Sequence, residues 1–444
     1  MTLDLLKGKI LTTLTKLTIP IVLTAMMQMA YSLVDMIWIG KLGANSVAAV
    51  GVAGMFTWLS SGLVMMPRVG GQVKVGHALG RHDLKQARIY CSSAFQMAIA
   101  FAGIFGIVMI TMSSFFIGLF HLNNVSTVKD AIIYLQVTCG LVIFSFLNQV
   151  ITGLLNASGD SHTPFVANSI GLVLNLVFDP ILIFGVGIFP RLNVLGAALA
   201  TVGAQLFVFL LFIIMLKGKK ALFQHLTLLQ IHARKIYIDI LKIGFPLALQ
   251  SMLFSICSMI VARFVAGYGD GAVAAQKIGS QVEAISWNMA DGFEASINSF
   301  IAQNYGAKQY QRVNKGYRVM MTIVLIWGLI CTGLLIMIPG PIFKIFLDDP
   351  QVLPLGISYL TILGYSQLFM TAEITTSGAF SGLGNSVAPS FISIVLTTAR
   401  IPMILILTQY IGLNGIWWAI SLSSIFKGII SVSWFTLYKR KALA

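Results

Sequence analysis

Residues 19–49 read IPIVLTAMMQMAYSLVDMIWIGKLGANSVAA, and residues 245–275 read FPLALQSMLFSICSMIVARFVAGYGDGAVAA. The two stretches align without a gap, each position of the first matching one position of the second in constant register. Pro20 meets Pro246, Gly43 meets Gly269, and Val47-Ala48-Ala49 meets Val273-Ala274-Ala275. The register holds to Gly80 and Gly306. Further on, GLLNASGDSHTP (153–164) meets GAFSGLGNSVAP (378–389), with the displacement shortened by a single position. The chain is therefore duplicated. Two parallel halves, residues 1–220 and 235–444, are joined by a basic linker at 221–234.

Each half is too apolar for water. Of 444 residues, 57% are hydrophobic and 10% charged, against about 25% charged in a soluble domain. A spanning helix needs about 20 mostly apolar residues. Runs of that kind lie at 15–40, 47–72, 90–120, 130–156, 163–187, 195–216, 238–266, 273–300, 316–340, 354–382, 389–411 and 415–437. The expected fold is all-α and polytopic, with twelve transmembrane helices in two pseudo-symmetric six-helix bundles. The first run is long enough to span and no small-residue cleavage pattern follows it, so it is not expected to be a signal peptide.

The formal charge of +15 would suggest nucleic acid in a soluble chain, but its distribution points elsewhere. With those spans, 19 Lys and Arg lie in loops or at span ends on one side and five (Lys41, Lys129, Arg191, Arg263, Lys344) on the other. The bias expects both termini in the cytoplasm and leaves no need for a nucleic-acid partner. The four cysteines lie in or beside apolar runs without metal-ligand spacing and are expected to pack.

Polar residues inside the spans are few and patterned. Positions four and seven apart share a helix face. Thr24, Gln28, Tyr31 and Asp35 form one stripe on the first span; Asn168, Asn175 and Asp179 form another on the fifth, where Pro180 interrupts the ladder. Asn148 and Thr152 share a face of the fourth span, Thr201 and Gln205 a face of the sixth. Four stripes in one half imply an internal cavity. An Asp at a helix centre costs about 2.5–3.5 kcal/mol on insertion scales. A structural network of interhelical hydrogen bonds is the plain alternative. Two carboxyls among neutral oxygens suit a proton carrier or a hard site for a small cation such as Na⁺, and the residues alone do not choose. In the second half, Gln276, Glu283, Trp287, Asp291 and Glu294 share a sector of the eighth span, and Glu373 lies on the tenth. Glu283 and Glu373 are candidate cavity residues. Of the basic residues, Arg68, Lys242, Lys277, Arg400 and Lys427 are expected mostly near span ends. The halves differ in charge: Asp35 meets Val261, Asn148 meets Glu373, Asn175 meets Arg400, and Asp179 meets Ile404.

Parallel repeats are a transporter signature, with substrate expected between the halves. Two six-helix halves, Pro20 and Asp35, the G-x-x-x-A-S-G-D-S-x-T-P segment, Asn175-x-x-x-Asp179-Pro180, and G-A-A-x-A-T ending at Thr201 together resemble the multidrug and toxic compound extrusion (MATE) family. The likeness is closest to its DinF-like and MepA-like prokaryotic branch. It implies a cation-coupled antiporter of the cell membrane, a monomer without cofactor, exporting amphipathic, mostly cationic drugs. It implies a cation site (H⁺ or Na⁺) at Asp35, Asn175, Asp179 and Thr201, and a substrate cavity faced by Gln28, Tyr31 and Asn148. Other branches of that family use acids in the seventh and tenth helices. The seventh here has none in its apolar core.

Two other readings compete. A lipid-linked precursor flippase needs a cationic cavity, whereas six acids (Asp35, Asp179, Glu283, Asp291, Glu294, Glu373) lie in spans or at their ends here. A membrane-embedded enzyme needs a catalytic constellation. All six histidines fall in loops or at span ends, and HExxH and P-loop motifs are absent.

Overall fold

The computed structural model describes residues 3–120, 122, 124–187, 189–217, 221–224 and 226–442; the side chains at 31–33 and 44 also lie outside the description. Regular structure among the described residues is entirely helical. The first repeat forms α1 (Ile10–Gly40), α2 (Ala44–Gly80), α3 (Leu84–Thr111), a short α4 (Ser113–Gly118), α5 (Val125–Gly140), α6 (Ile143–Ala157), α7 (His162–Phe184) and α8 (Asn193–Leu216). The second forms α9 (Arg234–Ala266), α10 (Asp270–Gly306), α11 (Tyr310–Met337), a short α12 (Pro339–Lys344), α13 (Leu353–Gly364), α14 (Gln367–Gly382), α15 (Val387–Thr398), α16 (Arg400–Ile411) and α17 (Leu413–Ala442).

The duplication is written into the backbone turns. Positive φ falls at Gly43 and Gly269, His82 and Lys308, Gly159 and Gly384, and Gly187 and Gly412. The members of each pair occupy equivalent positions of the sequence repeat. A left-handed residue ends a helix and reverses the chain, so the two halves turn at the same places.

Nine helices among the described residues are long and apolar enough to cross a membrane, and two bent pairs bring the number to eleven. The pairs are α5 with α6, bent by 42°, and α13 with α14, bent by 50°. Each was expected as one span, at 130–156 and 354–382. The break follows Gly140 in one repeat and Gly364 in the other, residues with little helix propensity. The remaining expected span is α10. It has the length, 37 residues, but Asp270, Lys277, Glu283, Asp291 and Glu294 set it apart from the apolar helices.

The chain divides into two compact units: residues 1–4 with 19–248, and residues 5–18 with 249–444. Thus α1 begins in the second unit and continues in the first, and α9 does the reverse. Each helix changes unit within a turn of its proline, Pro20 or Pro246. Proline removes one rung of the hydrogen-bond ladder and loosens the helix there. The early segment is firmly held in the second unit: Arg312 donates to the carbonyls of Leu5, Lys7 and Gly8 at 3.2, 2.7 and 2.8 Å.

In the first unit α7 and α8 run close together, as small residues allow in membranes. A Cβ added at Gly171 would lie 2.1 Å from Val208 Cγ2. That approach sets α7, which carries the fifth-span stripe, beside α8, which carries Thr201.

Candidate functional site

Asn175 and Asp179 are separated by one turn on a single face of α7. Asn175 Nδ2 donates to Asp179 Oδ1 at 2.8 Å, and the two residues are 3% and 0% exposed. From α1 comes Asp35, half-buried. Its carboxyl lies within hydrogen-bonding reach of that of Asp179. Asp35 Oδ1 and Asp179 Oδ2 are buried and accept no hydrogen bond from any described residue. Among the described residues no Lys, Arg or His forms an ion pair with either acid. Two carboxylates in contact repel one another; a proton or a small cation between them removes the repulsion. Pro180 adds to the local oxygen supply. It has no N–H, so the carbonyl one turn back, that of Leu176, loses its helical donor.

Two more side chains close on this pair. Thr201 of α8 donates to the Ala197 carbonyl at 3.0 Å, leaving its oxygen lone pairs for another donor or a cation. Tyr134 of α5 is 7% exposed. Its hydroxyl is within reach of Thr201 and lies in the electrostatic field of both Asp35 and Asp179. The four residues expected as a cation site therefore gather in one unit, and Tyr134 joins them.

The other expected site residues are placed differently. Asn148 Nδ2 donates to Gln205 O and Oε1 at 2.8 and 2.9 Å, which ties α6 to α8. Its own Oδ1 is buried and accepts no hydrogen bond from any described residue. Gln28 is exposed on α1. The Tyr31 side chain lies outside the described residues. The upper members of the stripes, Thr24 and Asn168, bond back to the carbonyls of Pro20 and Pro164, each at 2.8 Å.

Glu283 and Glu373 belong to a second buried nest, in the second unit. Tyr359 Oη and Gln367 Nε2 each donate to the Glu283 carboxyl at 2.8 Å. Lys427 Nζ lies 3.9 Å from Glu373 Oε2, with both side chains almost wholly buried. Arg400 donates to Ser423 Oγ at 2.6 Å and Ser424 Oγ at 3.1 Å, and both glutamates bear on its charge. Arg400 and Lys427, expected with the other basic residues mostly near span ends, are buried, 7% and 5% exposed, and Arg400 has the acid neighbours of a structural partner. The break between α15 and α16 carries Arg400 inward, and the serines at 421, 423 and 424 give α17 a polar inner face.

Sequence reasoning missed Tyr134 and the Lys427 pairing. A lone tyrosine in an apolar run looks like packing. The one available signal was the repeat: Tyr359, which donates to Glu283, occupies the position equivalent to Tyr134.

A many-span helical membrane protein, built twice over with an acid pair inside the spans of one repeat, is thus defined by fold and site together. Comparison with known proteins gives the family. The MatE family model matches residues 20–181 and again 246–406. The two matches begin at Pro20 and Pro246, the prolines that the repeat sets side by side. The chain belongs to the MatE family, the multidrug and toxic compound extrusion transporters. A probable multidrug resistance protein NorM of Thermotoga maritima is 26% identical over 95% of this chain and 91% of its own length. An FAD transporter of Shewanella oneidensis is 25% identical over 96% of this chain and 94% of its own. In fold, the chain is similar to a solved MOP superfamily transporter from Pyrococcus furiosus, with a TM-score of 0.92 at 22% identity, covering 100% and 99% of the two chains.

Proposed function

We propose that this chain is a multidrug exporter of the cell membrane, a cation-coupled antiporter that expels amphipathic, mostly cationic compounds by alternating access. The carrying observation is the Asp35–Asp179 pair: a half-buried and a buried acid within hydrogen-bonding reach of each other, each with a buried oxygen that no described residue donates to, and no ion-paired base among the described residues. Such a pair stores one exchangeable positive charge. Asp35 and Asp179 take the proton or Na⁺, Asn175 orients the Asp179 carboxyl, and Thr201 and Tyr134 supply hydroxyls. Gln28, Tyr31 and Asn148 are assigned to the substrate. The distribution of Lys and Arg puts both termini in the cytoplasm.

The acids sit on α1 and α7, and both helices carry a proline. Filling the pair draws α1 toward α7, and the bend is taken up near Pro20. Emptying it releases α1. A ligand shifts two states only by its differential affinity for them, so cation and drug must favour opposite positions of α1. One elementary charge crossing 100 mV supplies about 2.3 kcal/mol, enough to bias that exchange. Multidrug cargo is favoured by the name of the Thermotoga maritima relative and by the acidic, base-free pair.

Dye efflux from proteoliposomes, with pH and Na⁺ gradients imposed separately, tests the proposal. Wild type is expected to pump under at least one gradient, and Asp35→Asn under neither, with unchanged expression and monodispersity. Full efflux by Asp35→Asn would overturn the coupling role.

A further inference from the structure

The two units carry matching hollows at helix ends that the transport cycle above does not use. In the second unit a cavity of about 380 Å³ is lined by Tyr310, Asn314 and Arg318 of α11 and by Thr436, Lys439 and Arg440 of α17. In the first unit a cavity of about 340 Å³ lies between the start of α3, at Leu84, Lys85 and Arg88, and the segment carrying Thr227 and His232. Leu84 and Arg88 are the repeat equivalents of Tyr310 and Asn314. The same corner of the repeat is hollow twice, and cations line it both times.

The hollow of the second unit is the more strongly charged. Lys439 is half-buried; its Nζ donates to Asn314 Oδ1 at 3.0 Å and stands 5.2 Å above the Tyr317 ring. Among the described residues, the charges that bear on its ammonium are those of Arg318 and Arg440, both repulsive. Three like charges around a cavity are held together most readily by an anion inside it.

The surroundings identify the source of the anion. Arg318 shares a face of α11 with Leu325 and Leu329, two and three turns on, which are 39% and 57% exposed. On α17, Trp434 and Leu437 are exposed beside the cations, with Ile430 one to two turns further along. Exposed apolar strips on membrane helices face lipid, and a tryptophan at their margin marks the interface. A headgroup seated among the cations would lay its acyl chains along those strips. Basic pockets between helix ends are suited to such headgroups.

We propose that the hollow between α11 and α17 binds the phosphate of an anionic phospholipid through Arg318, Lys439 and Arg440. The site is independent of the coupling acids, so its failure and that of the transport proposal are separately visible. The test uses the full chain in zwitterionic nanodiscs, titrated with phosphatidylglycerol and read by native mass spectrometry after release. Retained phosphatidylglycerol is expected on wild type. Arg318→Gln with Lys439→Gln should weaken it about 25-fold, at about fivefold per cation. Lys129→Gln, a cation far from the hollow in sequence, should leave it unchanged. If the double variant aggregates, Arg440→Gln alone should read about fivefold. Undiminished retention in the variants, or equal retention of phosphatidylcholine, would overturn the proposal. So would complete displacement of the lipid by millimolar inorganic phosphate, which would assign the site to a soluble anion. Persistence of the lipid in phosphate supports it.

Discussion

Each unit sets a pair of acids within its spans, Asp35 and Asp179 in one and Glu283 and Glu373 in the other, and the two pairs are treated in opposite ways. In the first, Asp35 and Asp179 face each other with an amide and hydroxyls around them and no base among the described residues. In the second, Glu283 is capped by Tyr359 and Gln367, and Glu373 lies against Lys427 with Arg400 nearby. The backbone turns at equivalent places in both. Duplication thus preserved the frame while the charges diverged. An acid with a resident base is a fixture: removing either partner leaves an uncompensated charge. An acid whose only charged neighbour is another acid leaves room for a cation that comes and goes.

The sharpest way to break this contrast is to import the base. Arg400 stands where the first repeat has Asn175. Asn175→Arg should neutralise the acid pair permanently. A unit charge at about 4 Å in a medium of effective dielectric 20 is worth about 4 kcal/mol, which is about a thousandfold in cation affinity. Vesicle efflux should disappear while the protein stays folded; efflux near wild type would show that the pair exchanges nothing.

Removing a base should do the reverse in the other unit. Lys427→Met strands Glu373 in a buried site and should cost about 3–5 kcal/mol. Adding Glu373→Gln to it should recover most of the loss. Asp179→Asn should instead raise thermal stability, because it relieves an uncompensated acid. Melting curves of the three variants in one detergent give the signs; a Lys427→Met protein as stable as wild type would erase the distinction between the nests.

Packing behind the first nest comes next in size. Gly171→Ala pushes a methyl into Val208 and should destabilise by about 1–3 kcal/mol. Val208→Ala in the same chain should relieve part of it, measured by unfolding midpoint.

The smallest effect separates the paired tyrosines. Tyr359→Phe deprives the Glu283 carboxyl of a donor and should cost about 1–3 kcal/mol of stability. Tyr134→Phe should leave stability nearly unchanged and slow efflux severalfold, because its hydroxyl serves a site that is filled and emptied. Equal stability losses in both would make Tyr134 a structural group like its counterpart.

Much of this was legible in the sequence. Apolar runs gave the helices, and the echo of 19–49 in 245–275 gave the repeat. The expense of an intramembrane carboxylate singled out Asp35 and Asp179, and helical spacing tied Asn175 to Asp179. What escaped depends on contacts distant in sequence. The bends after Gly140 and Gly364 follow from local glycine, but their size is set by neighbouring helices. Lys427 looked like a residue within reach of solvent because an isolated lysine on α17 gives no hint of Glu373, far back along the chain on α14. The bond from the Asn148 amide to Gln205 on α8 likewise joins residues far apart in the chain.

The membership of α1 and α9 has a consequence for either repeat made alone. Residues 5–18 are built into the unit formed by the second repeat, and residues 234–248 into the unit formed by the first. A free-standing single repeat would lack its own opening segment and would have to borrow one from a sister molecule. Exchange of such a segment between copies is domain swapping. Fragments 1–220 and 235–444 should accordingly survive only when made together in one cell, each protecting the other from proteolysis.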